Sequence, residues 1–475
     1  MGRAIDSVHA RTTTPIWFIL LLALAIRIAF PLLIFALTQN PKVFHASDTE
    51  LYLNPALSLI QTGSFSTSPD NPTPEITRPP GYPIFLLPGI MVGKVELFTI
   101  SMQILLSCLT VYLVYRIALL LFVKNSIAVL CALLYAIEPL SVIFTSLLMT
   151  ETLFTAILAG SLFFLLKYLE RGALADLMVA GLAIAVSAFV RPVSTLLPVW
   201  SALLLLFAGW INKTNKIKVA SYIVVFMLVS MTPIFMWQVR NRIETGYSGF
   251  SAIYDLDLYW GIGAVIQAKL HGRTAHQQQL DMGFKNWGKY LEHHPEQRSW
   301  GQAKLLRYWR SEAIKTILRE PICFLTLYLE SQIKFLLAPG AGELLRLFGD
   351  SRSFQSREFA ANPDALIAGK GIIGRQLVYA KHWPIFFWTG ALLSLWPFTY
   401  LLLAVIAMSS KQFFSLPVMV VLGIALFFMV IFFDVGSPYR FRLPIMPIIC
   451  LFAGYGLSSV IDRVKRPTNS GQIDH

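Results

Sequence analysis

Charged residues are scarce in this chain. They make up 14% of its 475 residues, whereas soluble domains carry about 25%. With 56% hydrophobic residues, that scarcity excludes an ordinary water-soluble domain. Cysteine is scarce too. Cys108, Cys131, Cys323 and Cys450 are scattered, three of them in apolar runs, and no C-x-x-C pair occurs. Neither a disulfide framework nor a zinc site is indicated. No G-x-x-x-x-G-K-S/T stretch is present, so no loop is offered for ATP hydrolysis. No clear repeat relates the two halves, which counts against an inverted-repeat transporter. The formal charge is +13. Most basic residues sit in short loops beside apolar runs, which points to topology and lipid headgroups and away from nucleic acid.

Long apolar runs are what the chain has in plenty. They predict membrane spans at 16–37, 97–122, 127–143, 148–168, 174–189, 194–211, 219–237, 384–407, 413–433 and 445–461. The first is too long for a signal-peptide core and no small-residue cleavage pattern follows it, so it is expected to remain as a span. Arg27 lies inside it, a costly position that usually faces protein or water. Arg3, Arg11, Lys124, Lys167, Arg171, Lys213, Lys216, Lys218, Lys411, Arg463, Lys465 and Arg466 fall on one face under this count. Clustered short-loop Lys and Arg mark the cytoplasm. The opposite face receives two large segments, 38–96 and 238–383. Pro321–Leu337 is apolar but interrupted by Glu330 and Lys334, and it is expected to lie in the membrane interface. "HQQQLDMGFKNWGKYLEHHPEQRSWGQAKLLRYWRSEAIKTILREP" has amphipathic helical spacing, so the second outer segment is expected to hold a few helices on the membrane surface. The expected divisions are an N-terminal transmembrane module (1–237, with the outer loop 38–96), the large outer loop (238–383), and a C-terminal module with a short cytoplasmic tail (384–475).

The first outer loop opens with "SDTE". Ser47 and Glu50 have capping-box spacing, which would make Asp48 the first helical residue. There the helix dipole favours an ionised carboxylate. Such an acid either stabilises the first turn or accepts a proton. Tyr52 and Ala56 follow at four-residue steps on the same face. Further on, "ITRPPGYPIFLLP" places Arg78 before Pro79, Pro80 and Pro83, a stiff extended path. An Arg held there suits an anionic headgroup or phosphate, or simply snorkels to the interface.

An acid after the first span, then Tyr52, Ala56 and Gly63 at helical spacings, then R-P-P-x-Y-P over Arg78 to Pro83, resembles the dolichyl-phosphate-mannose protein mannosyltransferase family of type-C glycosyltransferases. The similarity continues in "TSLLMTETLF" around Glu151, "FVRPVSTLLP" around Arg191, "MWQVRNRIETGYSGF" around Arg240 and Asn241, and "YRFRLPIMPIICLFAGYGL" from Tyr439. The resemblance implies an all-α polytopic bundle of about ten to twelve transmembrane helices with outer juxtamembrane helices. It further implies a multi-pass protein of the bacterial inner membrane, with its site on the periplasmic or extracellular face. The implied reaction moves a sugar from a polyprenyl-phosphate donor to an acceptor hydroxyl on a glycan, glycolipid or protein. A protein acceptor is not specifically implied, because the long inserted domain of the eukaryotic enzymes is missing. The implied base is Asp48, with Glu151 as second acid; Arg78 is the implied phosphate ligand. Tyr52, Tyr82 and Asn241 are expected at the substrate.

The chemistry suits these residue types. The donor leaves as a lipid phosphate, a stable anion, so no general acid is needed, unlike in glycosidases that expel an alcohol. One base takes the acceptor proton, and cations meet charge building on phosphate. Direct displacement would invert the anomeric carbon. Arg191 precedes Pro192 at an outer turn, and Arg240 and Arg242 end a span on the outside. Arg440 and Arg442 lie beside Pro438 and Pro444. All are against the positive-inside bias, so Arg191, Arg240, Arg440 and Arg442 join Arg78 as phosphate-binding candidates; span-end anchoring is their alternative. Asp255 and Asp257 form a D-x-D match too short to imply a metal clamp. His271, His276, His293 and His294 lack ligand spacing. No cofactor is implied, and a divalent cation is possible but not indicated. Rival functions are a polymerase or ligase using a diphosphate-linked lipid and a lipid or sugar transporter; beyond Arg27 the spans offer few midplane polar groups for the latter.

Overall fold

The computed structural model describes residues 14–348, 381, 384–410, 413–433 and 438–465. Arg3, Arg11, Lys411, Arg466 and the stretch 349–380 lie outside them. Among the described residues, seven helices are long and apolar enough to cross a membrane. They match seven of the ten expected runs. Leu174–Val190 and Leu416–Ile431 are shorter apolar helices matching two more.

The tenth run, 127–143, is not one helix. Asn125–Ala136 and Pro139–Thr145 meet at 54°. Pro139 supplies no N–H and cannot continue a helix from the preceding turn. The Glu138 carboxylate caps the second piece, accepting the main-chain N–H of Leu140 and Ser141. Arg27 serves the open end of the first piece: it donates to Ala136 O at 2.7 Å and Tyr135 O at 3.4 Å, and also to Ser107 Oγ at 2.7 Å. Its burial inside the bundle is therefore matched by hydrogen bonds to the break it holds.

Pro321–Leu337 is helical, and Ala341–Leu347 follows at 52°. Together they qualify as a broken span or a re-entrant pair, a pairing hidden in the sequence by Glu330 and Lys334. Arg442 caps the first piece through Leu336 O at 2.6 Å, Ala338 O at 3.0 Å and Phe335 O at 3.3 Å. Tyr328 and Gln332 bind the carbonyls that end Leu416–Ile431 and follow it.

The capping box at Ser47 does not form. The helix runs Glu50–Thr62 after Thr49. The Thr49 hydroxyl accepts from Ala46 N–H at 2.8 Å and donates to Leu148 O at 3.0 Å, tying the loop to the turn before Glu151–Arg171. Asp48 thus precedes the first turn. After Gly63 comes a small antiparallel hairpin, Ser66–Ser68 with Asn71–Pro74. Gly81 packs so closely on the C-terminal end of Leu174–Val190 that a Cβ would sit 2.6 Å from Phe189 O. That approach sets the R-P-P segment beside the turn carrying Arg191. After Lys216–Thr245 the described chain folds into short helices and the longer Gln302–Arg319, around Tyr259, Trp260, Tyr290 and Trp309.

Candidate active site

Four backbone turns converge at one end of the bundle. Asp48 precedes the helix Glu50–Thr62; Glu151 opens the helix Glu151–Arg171; Arg191 closes Leu174–Val190; Arg440 lies in the short helix Pro438–Arg442. Arg440 bridges the two acids, with Nη2 3.0 Å from Asp48 Oδ2 and Nε 2.8 Å from Glu151 Oε1. Arg191 Nη1 lies 3.0 Å from the same Glu151 oxygen. That nitrogen is not aimed for a hydrogen bond, so the contact is one of charge and leaves a donor unspent. The Arg191 guanidinium stacks over Phe441 at 4.6 Å.

Arg78 joins the group from the first outer loop. Its guanidinium lies over the Tyr52 ring at 5.5 Å, and its buried Nε has no acceptor. Burial pushes the Asp48 carboxyl up, but the charges of Arg440 and Arg78, with the hydrogen bond from Arg440, outweigh burial and hold it below the usual carboxylate value. Burial disfavours the Arg78 cation, yet Tyr52, Asp48 and Asp257 raise it overall. Three guanidiniums face two carboxylates here, and the exposed charge of Asp257 also acts on Arg78. The side chain of Asp48 is 25% exposed and that of Glu151 is sealed at 0%. Only Asp48 is reachable by an acceptor; Glu151 holds Arg440 and Arg191 from beneath.

The remaining expected site residues are placed elsewhere. Arg240 donates to Glu75 O at 2.8 Å and Phe65 O at 3.1 Å, and Arg442 is committed to helix-end carbonyls. Asn241 is buried, its amide donating to Gly249 O and Phe250 O. Tyr82 is fully buried behind Tyr52, edge to face at 5.2 Å, with its hydroxyl on Gln103. Of the aspartates at 255 and 257, Asp255 is buried against Arg310 and Tyr247, whereas Asp257 is exposed and its charge acts on Arg78. Among the described residues no three His, Cys, Asp or Glu gather to hold a metal ion. Sequence reasoning passed over Glu75 and Glu138. The only signal for Glu138 was an acid directly before a proline inside an apolar run.

Residues 77–237 match the family model for dolichyl-phosphate-mannose-protein mannosyltransferase, so the resemblance drawn from the motifs is found independently over Thr77 to Trp237. No curated protein matches the chain by sequence. The fold is similar to that of the Archaeoglobus fulgidus oligosaccharyltransferase. The apo crystal structure of that enzyme gives a TM-score of 0.53 at 14% identity, covering 95% of this chain and 51% of the other. Its complex with Zn and sulfate gives 0.51 at 14% identity, with coverages of 95% and 49%. ArnT from Cupriavidus metallidurans bound to undecaprenyl phosphate matches at a TM-score of 0.36 and 12% identity, over 92% of this chain and 77% of that one. The chain spans about half the length of the archaeal enzyme it matches. At these identities the likeness to the archaeal enzyme is one of fold alone, that of a helical membrane bundle.

Proposed function

We propose that this chain is a membrane glycosyltransferase that moves a sugar from a polyprenyl-phosphate donor to an acceptor hydroxyl on the non-cytoplasmic face, with inversion. The observation that carries this is the cluster of Asp48, Glu151, Arg78, Arg191 and Arg440, in which three guanidiniums gather around one reachable carboxylate. A polyprenyl-phosphate sugar is a phosphodiester whose anionic oxygens suit the guanidinium donors of Arg78 and Arg191 that lack an acceptor. The match to the dolichyl-phosphate-mannose-protein mannosyltransferase family model points to the same donor class. The site lies at the ends of spans opposite the Lys124, Lys167, Arg171, Lys213, Lys216 and Lys218 loops, which supports an outer location.

Each residue then has a task. The phosphate takes the unspent donors of Arg78 and Arg191 and competes with Asp48 for Arg440. As a negative group enters, the cations that depress Asp48 are shared, and its carboxylate becomes more basic where the acceptor needs it. The acceptor oxygen attacks the anomeric carbon, its proton passes to Asp48, and the bond from that carbon to the phosphate oxygen breaks. Lipid phosphate leaves with one more unit of charge, which the guanidiniums meet at about 3 kcal/mol per well-placed donor. Lipid mass spectrometry of a strain lacking the chain tests the proposal. Accumulated polyprenyl-phosphate sugar with a glycan short of one residue is expected; unchanged lipids and glycans overturn it.

A further inference from the structure

Arg78 is held by its backbone from three directions. Upstream, the Glu75 carboxylate accepts the main-chain N–H of Thr77 and, at 2.9 Å, of Arg78. Downstream, Pro79 and Pro80 fix the chain. From the large outer loop, Ala252 N–H donates to Ile76 O at 2.8 Å and the Ser251 hydroxyl donates to Thr77 O.

Glu75 is itself fixed. Its N–H donates to Phe65 O at 3.1 Å. One guanidinium, that of Arg240, grips Glu75 O and Phe65 O together, closing the neck of the hairpin between them. Glu75 is 6% exposed, so it is no surface acid. Burial pushes its carboxyl up, and the N–H donors counter that only in part. A buried acid spent on two main-chain donors is a costly way to make a turn, and the turn it makes ends on the one guanidinium whose Nε meets no acceptor in this loop.

We propose that Glu75 is a positioning residue for the phosphate-holding Arg78, and that Arg240 locks it in place without touching the phosphate. The inference rests on the polyprenyl-phosphate donor proposed above. Removing the carboxylate frees the Thr77 and Arg78 amides to turn, so the guanidinium no longer waits at one spot over Tyr52. Removing Arg240 loosens the same turn one step further back.

Native mass spectrometry of the full chain in detergent, with undecaprenyl phosphate and undecaprenol as paired probes, separates the possibilities. In wild type the phosphate lipid binds more tightly than the alcohol, and Arg78→Ala abolishes that preference. If either fails, the donor assignment falls. With those in hand, Glu75→Ala weakens undecaprenyl phosphate about tenfold and leaves undecaprenol unchanged, a specific loss of about 1.4 kcal/mol. Glu75→Gln, whose amide oxygen still accepts both N–H groups, restores most of the affinity. Arg240→Ala gives a smaller loss of the same kind, and carries the comparison if Glu75→Ala does not fold. Equal losses for both lipids, or wild-type affinity in Glu75→Ala, overturn the positioning role while leaving the donor assignment standing.

Discussion

Arg440 and Arg442 sit two residues apart in one short helix and face different partners. Arg440 meets two carboxylates, Asp48 and Glu151. Arg442 meets three main-chain carbonyls at the end of Pro321–Leu337. The same division runs through the molecule. Arg191 and Arg78 belong with Arg440. Arg27 and Arg240 belong with Arg442, each donating to carbonyls at a break or a loop neck. A helix-end carbonyl is neutral, fixed, and needs its donor whenever the chain is folded. A carboxylate is an anion, and another anion can take its place on the guanidinium with little change in local charge. The partner therefore tells an arginine that can serve a substrate from one that staples the fold.

The division can be broken at Asp48 first. Asp48→Asn removes the only exposed carboxylate of the cluster and is expected to lower turnover about 100- to 10,000-fold, measured as consumption of polyprenyl-phosphate sugar. Binding of undecaprenyl phosphate should survive. Turnover near wild type would dissolve the special status of the acidic side of the cluster.

Arg440→Gln comes next, with a loss of about 100- to 1,000-fold in turnover. It also carries a pH signature. Asp48 is held below its usual value chiefly against burial, by Arg440 and Arg78. Wild-type activity should therefore persist as pH falls through the ordinary carboxylate range and be lost only below it. Without Arg440, burial dominates, the carboxyl moves up, and the acidic limb of kcat/KM moves to higher pH. A limb that stays in place would show that Arg440 does not set the charge of Asp48.

Arg442→Ala should do the opposite of Arg440→Gln. Three carbonyls lose a charged donor, at a cost of about 2–3 kcal/mol, read as a lower unfolding midpoint in detergent. Affinity of the surviving folded protein for undecaprenyl phosphate should stay near wild type, since the two arginines share no partner. A phosphate-specific loss would move Arg442 to the other set. The smallest effect is expected at Asp257, whose exposed charge opposes an anion at Arg78. Asp257→Asn should strengthen undecaprenyl phosphate binding by about twofold at low salt, fading as salt rises.

Asp48, Glu151, Arg78, Arg191 and Arg440 were all visible in the sequence, because each is a charged residue near the end of an apolar run. Such positions are costly enough in this composition to stand out. Arg240, Arg442, Asn241 and Tyr82 stood out for the same reason, yet their side chains are bound to backbone or to Gln103. The sequence signal is unpaired polarity near the membrane, and it is identical for both sets. Glu75 and Glu138 escaped notice because their work is local, capping turns two and three residues ahead. The break at Pro139 was hidden because periodicity reports apolar length and both of its pieces are apolar, and the bent pair after Pro321 because Glu330 and Lys334 interrupt its apolar run.

By itself the sequence determined that the chain is a helical membrane bundle, which ends of its spans carry charge, and that Asp48 and the Arg-Pro-Pro segment at Arg78 share the stretch between the first two spans. Those follow from transfer free energies and backbone restrictions that act residue by residue. Only the tertiary structure decided which arginines meet carboxylates and which meet carbonyls. That choice depends on partners up to 392 residues away in the chain, and a hydrogen bond is set by distance in space, for which neighbours in sequence give no measure.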